Sequence, residues 1–508
     1  MAKLLVVGLG PLLDQNVRRF GGQCLRTWHF TKPLLDDGHS VRLVTLPLYD
    51  PDDPNMENAA LVRRAYRDFE YQAFSNCDFE FIHRTLTELA RSFAPDAIIG
   101  VNHLASWVAA RLPLAVPLWA DLNGYEMAEK QGQAAGLGDD GVLTEAWRKE
   151  SLIARRADKL STVSRPQLHA LLGEMAGLGR LNRYTFHYHF AHHIPNAAHP
   201  AFYELMPYSA LAPEADPDAG AESVPTSFLR GRVVPEDAFV LLWSGGYNYW
   251  TDPDFLFEFL DIALDANPAL HFVSTGGAIA GYNEQTYRQF EARVRTSPNR
   301  DRYHLLGWLT GDEVLAVYRE ADLGLNIDEP NYETFFGARN RINNFMAAGL
   351  PVLTTYGSEI SLLLDEAECG AVCFSHDADE LAEMVLSLSR DLPYCRKLGQ
   401  SARRYAREHF APETLTQPLR NWALDPQPAP DNAEKLRQNP RAFDLRTVTL
   451  NPLEATAALV ETEDIPALRQ AQIDLDAIRS KKCYRLLRPF ARLLGLSGNR
   501  TSTPENKG

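Results

Sequence analysis

Residues 326–352, NIDEPNYETFFGARNRINNFMAAGLPV, decide how this chain folds. The stretch opens at the end of an apolar run, Leu323–Ile327, and closes on another, Val352–Thr355. Short apolar runs of this kind read as buried strands. Between them stand a polar loop and an apolar helix ending in Met346-Ala-Ala-Gly349. Strand, helix, strand is the order that a parallel pair needs. The loop and helix start also crowd acids, arginines and asparagines together. Arg339, Asn340 and Arg341 open a helix that should be largely buried. Buried arginines need partners, and a diphosphate is one that a guanidinium fork fits well.

The same alternation extends in both directions. Phe239–Trp243 is a strand, Asp254–Ala266 a helix and His271–Thr275 a strand followed by Gly276-Gly277. Tyr303–Leu306 and Thr310–Ala321 repeat the pattern. In the first half, Lys3–Val7 reads as a strand. Gly21–Asp37 has helical spacing, closed by Gly38-His39, and Ser40–Thr45 is the next strand. Ala97–Gly100, Pro117–Ala120 and Lys159–Val163 follow as later strands. The expected architecture is α/β, with two Rossmann-like doubly wound domains facing a cleft and a helical C-terminal tail.

The divisions follow composition. Residues 1–204 form a first domain, and 205–235 a linker around the acidic PEADPDAGAES stretch. Residues 236–393 form a second domain, and 394–424 are helices crossing back to the first. Residues 425–464 read as a second linker, and 465–508 as a basic amphipathic tail.

The chain has 508 residues and a net charge of -15, which argues against a general nucleic-acid binder. Six scattered cysteines, with Cys369 and Cys373 lacking a second ligand pair, point to packed thiols in a reducing cytoplasm. No run of 18 apolar residues is present, so no transmembrane helix is expected. The tail differs from the body. Between residues 465 and 508, nine Lys/Arg face three acids, and 478–496 mixes cations with Leu and Phe. An anionic membrane surface would suit it, and so would packing on the protein's own body or a partner.

Three glycine-bearing loops are placed to meet a ligand. Gly8-Leu9-Gly10 follows the first strand, with Gly21-Gly22 at the next helix start. The third glycine of the dinucleotide fingerprint is missing, which weakens a dehydrogenase reading. Residues 243–252, WSGGYNYWTD, run from strand to helix, where Gly245, Gly246 and Asn248 are suited to a pyrophosphate. Asp252-Pro253-Asp254 reads as a helix cap followed by a first-turn proline, not a metal site. His187, His189, His192 and His193 lack acids at ligand spacing.

Residues 340–352 resemble the N-K-x-x-E-Y/A-M-A-x-G-x-P-V helix of family 4 GT-B glycosyltransferases. Further pieces lie in that family's order: Gly21-Gly22, Gly38-His39, Ser161–Ser164, Ile194-Pro195-Asn196, Gly307-Trp308, Asp312-Glu313-Val314, Ala321-Asp322 and Gly357–Ile360. The resemblance spans about residues 3–425. It implies a GT-B fold, retention at the anomeric carbon, no cofactor and no obligatory metal. It also implies a nucleotide-sugar donor held mainly by the second domain.

On this reading Gly245, Gly246, Asn248, Arg339, Asn340, Arg341, Asn344 and Glu359 bind donor. Gly21 and Gly22 form an acceptor-side loop, and Glu333, Asp121 and His103 are the catalytic candidates. The family's paired glutamates are replaced, by Phe336 and Asn344. The expected acceptor is a saccharide or lipid-linked saccharide of envelope polysaccharide or glycoconjugate synthesis. The expected setting is the cytoplasm or the inner face of the cell membrane. A catalytically degenerate GT-B subunit, or an epimerase of the same fold, is the alternative.

Overall fold

A computed structural model of the protein describes residues 1–12, 21–47, 59–205 and 227–443. The basic tail at 465–508 lies outside these. Eight strands form the first sheet: β1 (Lys3–Gly10), β2 (Ser40–Pro47), β3 (Leu61–Tyr66), β4 (Phe69–Phe74), β5 (Ala97–Gly100), β6 (Leu118–Leu122), β7 (Lys159–Thr162) and β8 (Ala191–His193). Their order is β3-β4-β2-β1-β5-β6-β7-β8, parallel except for the β3–β4 pair. Leu4, Leu5, Val6 and Val7 are all fully buried, since helices cover both faces of a parallel sheet.

Six strands form the second sheet: β9 (Phe239–Ser244), β10 (Leu270–Thr275), β11 (Tyr303–Gly307), β12 (Leu323–Asn326), β13 (Val352–Thr355) and β14 (Ala371–Cys373). The order is β11-β10-β9-β12-β13-β14, parallel throughout. Gly324 lies beside Val352, so the decisive stretch is a strand–helix–strand crossover. Both sheets belong to one compact unit.

The β3–β4 hairpin was not expected. Tyr66 pairs with Phe69 across the two-residue turn Arg67-Asp68. Arg67 holds φ +54, a left-handed backbone that costs a non-glycine residue about 1 kcal/mol. Arg63 and Arg64 are exposed on the edge strand, where charge discourages pairing with other chains.

The chain then returns to the first domain. The Leu392–His409 helix packs on the second domain, burying Cys395, Leu398 and Ala402. The Gln417–Leu424 helix buries Leu419, Trp422 and Ala423 in the core beneath the first sheet. Residues 425–443 are not the free linker expected of them. The Pro430–Gln438 helix lays Asp431 against Arg180, at 2.5 and 3.1 Å, with both side chains nearly inaccessible. Asp158 receives the Ala429 N–H at 2.7 Å and the Asn432 amide at 2.9 Å. A buried guanidinium with one available carboxylate holds that segment in place, whatever its composition. Leu229 and Val234, placed in the first linker by composition, are buried with the second domain's core.

Candidate active site

A cavity of about 520 Å³ opens where strands of both sheets end. From the second domain it takes Ser244 and Gly245 after β9, Gly276 after β10, Trp308 after β11, and Asn340, Arg341 and Asn344 from the Asn340–Ala348 helix. From the first it takes Gly22 at the start of the Gly22–Asp36 helix, Tyr66 and Arg67 at the hairpin tip, and His199. Two glycines permit this closeness. A Cβ on Gly276, whose φ is +91, would sit 2.4 Å from the Gly245 carbonyl oxygen. One on Gly22 would sit 2.1 Å from Asn340 Nδ2, so the two domains meet there.

Arg341 dominates the electrostatics. Its guanidinium lies 3.7 Å from the centre of the Trp243 ring and donates to the Gly246 carbonyl at 3.1 Å. Burial pushes its pKa down to about 10, with Asp328 pulling the other way. No carboxylate pairs with it among the described residues. A half-buried cation without a counter-ion, on a cavity wall, is an anion site. Nearby, Asn344 brings its amide to the cavity lining. Burial pushes the Tyr318 hydroxyl up to about 12, so it stays a neutral donor.

The structure separates Arg339 from this role. Arg339 is buried against Asp328 at 2.5 Å and forks onto Glu333 at 2.7 and 3.0 Å. Burial opposes its charge, but those two acids outweigh it and raise its pKa. Arg339 precedes the helix with an extended backbone (φ -111, ψ 90), and Arg341 lies inside it. The two side chains therefore leave the chain in different directions.

None of the three catalytic candidates lines the cavity. Glu333 is consumed by Arg339, and burial raises its pKa despite that partner. Asp121 is fully buried. It grips Arg26 through two 2.7 Å bonds and accepts the Ser161 hydroxyl at 2.7 Å. His103 sits 2.8 Å from Glu150 and 3.7 Å from Glu126. Burial works against its charge, yet those carboxylates prevail and its pKa rises. Each is held in a buried pair outside the cavity lining.

Three further donor-binding candidates are displaced, Gly246, Glu359 and Asn248. Gly246 is outside the lining and its carbonyl accepts from Arg341, and Gly21 of the acceptor-side loop is outside the lining too. Glu359 ties the domains together, accepting the Arg165 backbone N–H at 2.9 Å and its guanidinium at 3.1 Å. Asn248 sits in the turn before the Pro253–Ala266 helix, its N–H on Thr251, and does not line the cavity. Asp252 caps that helix by accepting the Phe255 N–H at 2.9 Å, as the capping reading required. His192 stacks on Trp119 and His193 bonds the Val163 carbonyl, whereas His187 and His189 are exposed.

The site also contains groups not found by sequence reasoning. Tyr66, Arg67 and His199 bring the first domain into the cavity. Tyr66 packs edge-on against Trp28 at 4.7 Å, and its hydroxyl lies 3.4 Å from His199 Nε2. Burial, then the charge of Arg67, pushes His199 down to about 4, leaving it neutral. The available signal was Tyr66-Arg67-Asp68-Phe69 at the centre of an alternating run, but it lacks the glycine that announces a hairpin.

Two facing Rossmann-like domains, a cavity at their strand ends and crossover helices that return the chain define the GT-B class. Residues 21–180 match the family model described as glycosyl transferase 4-like domain, and 257–420 the one described as glycosyl transferase-like. The chain is a GT-B glycosyltransferase of the group 1/4 type.

Solved structures agree on the fold. Sucrose-phosphate synthase from Thermosynechococcus elongatus superposes with TM-score 0.58 at 16% identity, covering 82% of this chain and 97% of that one. Anabaena HepE in complex with UDP-glucose gives 0.54 at 17%, covering 86% and 100%. An α,α-trehalose-phosphate synthase (UDP-forming) from Burkholderia xenovorans in complex with glucose-6-phosphate gives 0.57 at 11%, covering 83% and 99%. No curated protein sequence matches the chain.

Proposed function

We propose that the cavity binds a nucleotide-sugar donor and that the enzyme transfers the sugar with retention to a saccharide or lipid-linked acceptor. The observation that carries this reading is Arg341, a cation on the cavity wall with no carboxylate partner among the described residues. Asn344, at the position where the family has a glutamate, lines the cavity and brings an amide within the region proposed for a ribose hydroxyl. Gly245 and the start of the Asn340–Ala348 helix leave backbone close to the phosphates. The UDP and UDP-glucose complexes of HepE support a nucleotide-sugar donor.

In the proposed reaction the acceptor hydroxyl oxygen approaches the anomeric carbon on the face the diphosphate leaves. The new glycosidic bond forms as the bond to phosphate oxygen breaks, and the hydroxyl proton passes to that oxygen. The protein's part is positioning and charge stabilisation, which need no cofactor. The acceptor belongs, on this proposal, to envelope polysaccharide or glycoconjugate synthesis at the cytoplasmic face of the membrane. The cationic and apolar residues of 478–496 support a membrane surface there. Among the described residues, no helix is long and apolar enough to cross a membrane.

A thermal-shift series with UDP, GDP, ADP and dTDP and their sugars tests the proposal. One nucleotide should raise the midpoint, with a shift that grows with the logarithm of its concentration above Kd. If none does, the donor assignment fails.

A further inference from the structure

The second cation of the cavity comes from the other domain. Arg67 stands at the tip of the β3–β4 hairpin, beside Tyr66 in the cavity lining that also holds Arg341. Three observations single it out. Its backbone is left-handed at the first central position of a two-residue hairpin, where glycine is the ordinary choice. A residue kept there against backbone preference is retained for its side chain. Next, the tip is packed onto the first domain through Tyr66. Tyr66 is buried under Trp28 and Phe69, and Arg67 lies 5.6 Å from the Tyr66 ring centre. Finally, Arg67 pairs with no carboxylate among the described residues, and the cavity lining holds a single acid, Asp312.

We infer that Arg67 is a phosphate-binding residue, a second cation that the first domain contributes to a phosphorylated ligand in the cavity. One guanidinium, Arg341, leaves a diphosphate half neutralised; a second in the same lining completes the match. The N-terminal N–H groups of the Gly22–Asp36 helix open into the same space and favour the same charge. The phosphate belongs either to the donor's diphosphate or to a phosphorylated acceptor. The inference rests on the donor-cavity reading, and the experiment separates the two.

The test uses the full chain as wild type, Arg67→Gly and Arg67→Lys. Glycine gives the turn the residue it prefers, so this variant keeps the fold while losing the cation. Calorimetric titrations use UDP, GDP, ADP and dTDP, their nucleosides, inorganic pyrophosphate, and inorganic phosphate added to nucleotide-saturated protein. Loss of a charge-assisted contact should weaken the preferred nucleoside diphosphate about tenfold in Arg67→Gly, with its nucleoside unaffected and partial recovery in Arg67→Lys. That result assigns Arg67 to the donor. Unchanged nucleotide affinity with lost phosphate binding assigns it to the acceptor. Equal binding of every probe by wild type and Arg67→Gly overturns the inference. If the wild type binds no nucleotide, the donor-cavity reading fails, and Arg67 is judged on pyrophosphate alone.

Discussion

Arg339 and Arg341 are two positions apart and chemically identical, yet one is spent inside the protein and the other is available to a ligand. Removing Arg341 should cost little stability, because no buried carboxylate is stranded and only the Gly246 carbonyl and the Trp243 ring lose a contact. The Arg341→Ala enzyme should melt near the wild-type temperature yet lose on the order of 10²–10³ in transfer rate. Steady-state kinetics beside a melting curve decides it; full activity would remove Arg341 from the site. Arg339→Ala should do the opposite, since it leaves Asp328 and Glu333 buried without a cation.

Glu174 offers a second residue-level prediction. Burial, with help from Glu150, pushes its carboxyl from the ordinary 4.5 up to about 8, although the Tyr125 hydroxyl donates to it at 2.8 Å. An acid with a raised pKa is favourable to folding while protonated. That advantage is complete below pH 4.5 and is lost as pH climbs toward 8. Glu174→Gln cannot ionise. Its urea midpoint should therefore gain on wild type steadily between pH 5 and 8, and a constant difference across that range would refute the assignment.

At the scale of elements, the Pro430–Gln438 helix should be a structural strap. Asp431→Ala would leave the guanidinium of Arg180 buried without a carboxylate, hydrogen-bonded only to the Ala154, Arg155 and Ala157 carbonyls, a loss of about 3 kcal/mol by denaturant unfolding. A loss within experimental error would mean the helix is dispensable. The sequence hid this element because its residues, PDNAEKLRQ, are almost all polar. What anchors it is a partner some 250 positions away. The central strands were legible for the opposite reason: β1, β5 and β9 are buried on both faces, so each is a nearly unbroken apolar run. Edge strands carry no such mark. In β3, Arg63 and Arg64 stand side by side where a buried strand would hold valine. The site divided along the same line. Its glycines and the Asn340–Asn344 run were visible as local pattern. The fates of Asp121, His103 and Glu333 depended on Arg26, Glu150 and Arg339, pairings that spacing alone does not fix.

For the whole molecule, the cavity's two-sided lining sets the expectation. A bound nucleoside diphosphate should slow amide exchange both in the loops after β9 and β10 and at Gly22 and the Arg67 turn. Exchange measured by mass spectrometry with and without nucleotide would show it. Protection confined to the second domain would mean that the first takes no part in holding the ligand.

The chain enters the first domain at β1 and is back against it at Phe443, whose ring lies 4.0 Å from the Arg156 guanidinium. The second domain is thus an insertion between two anchored ends, and no single cut can separate the halves intact. A fragment stopping at residue 205 would strip Trp119 of the Trp422 ring 5.5 Å away and strand Arg180. A free-standing first half has to be assembled from two pieces of sequence, with 417–443 spliced back on.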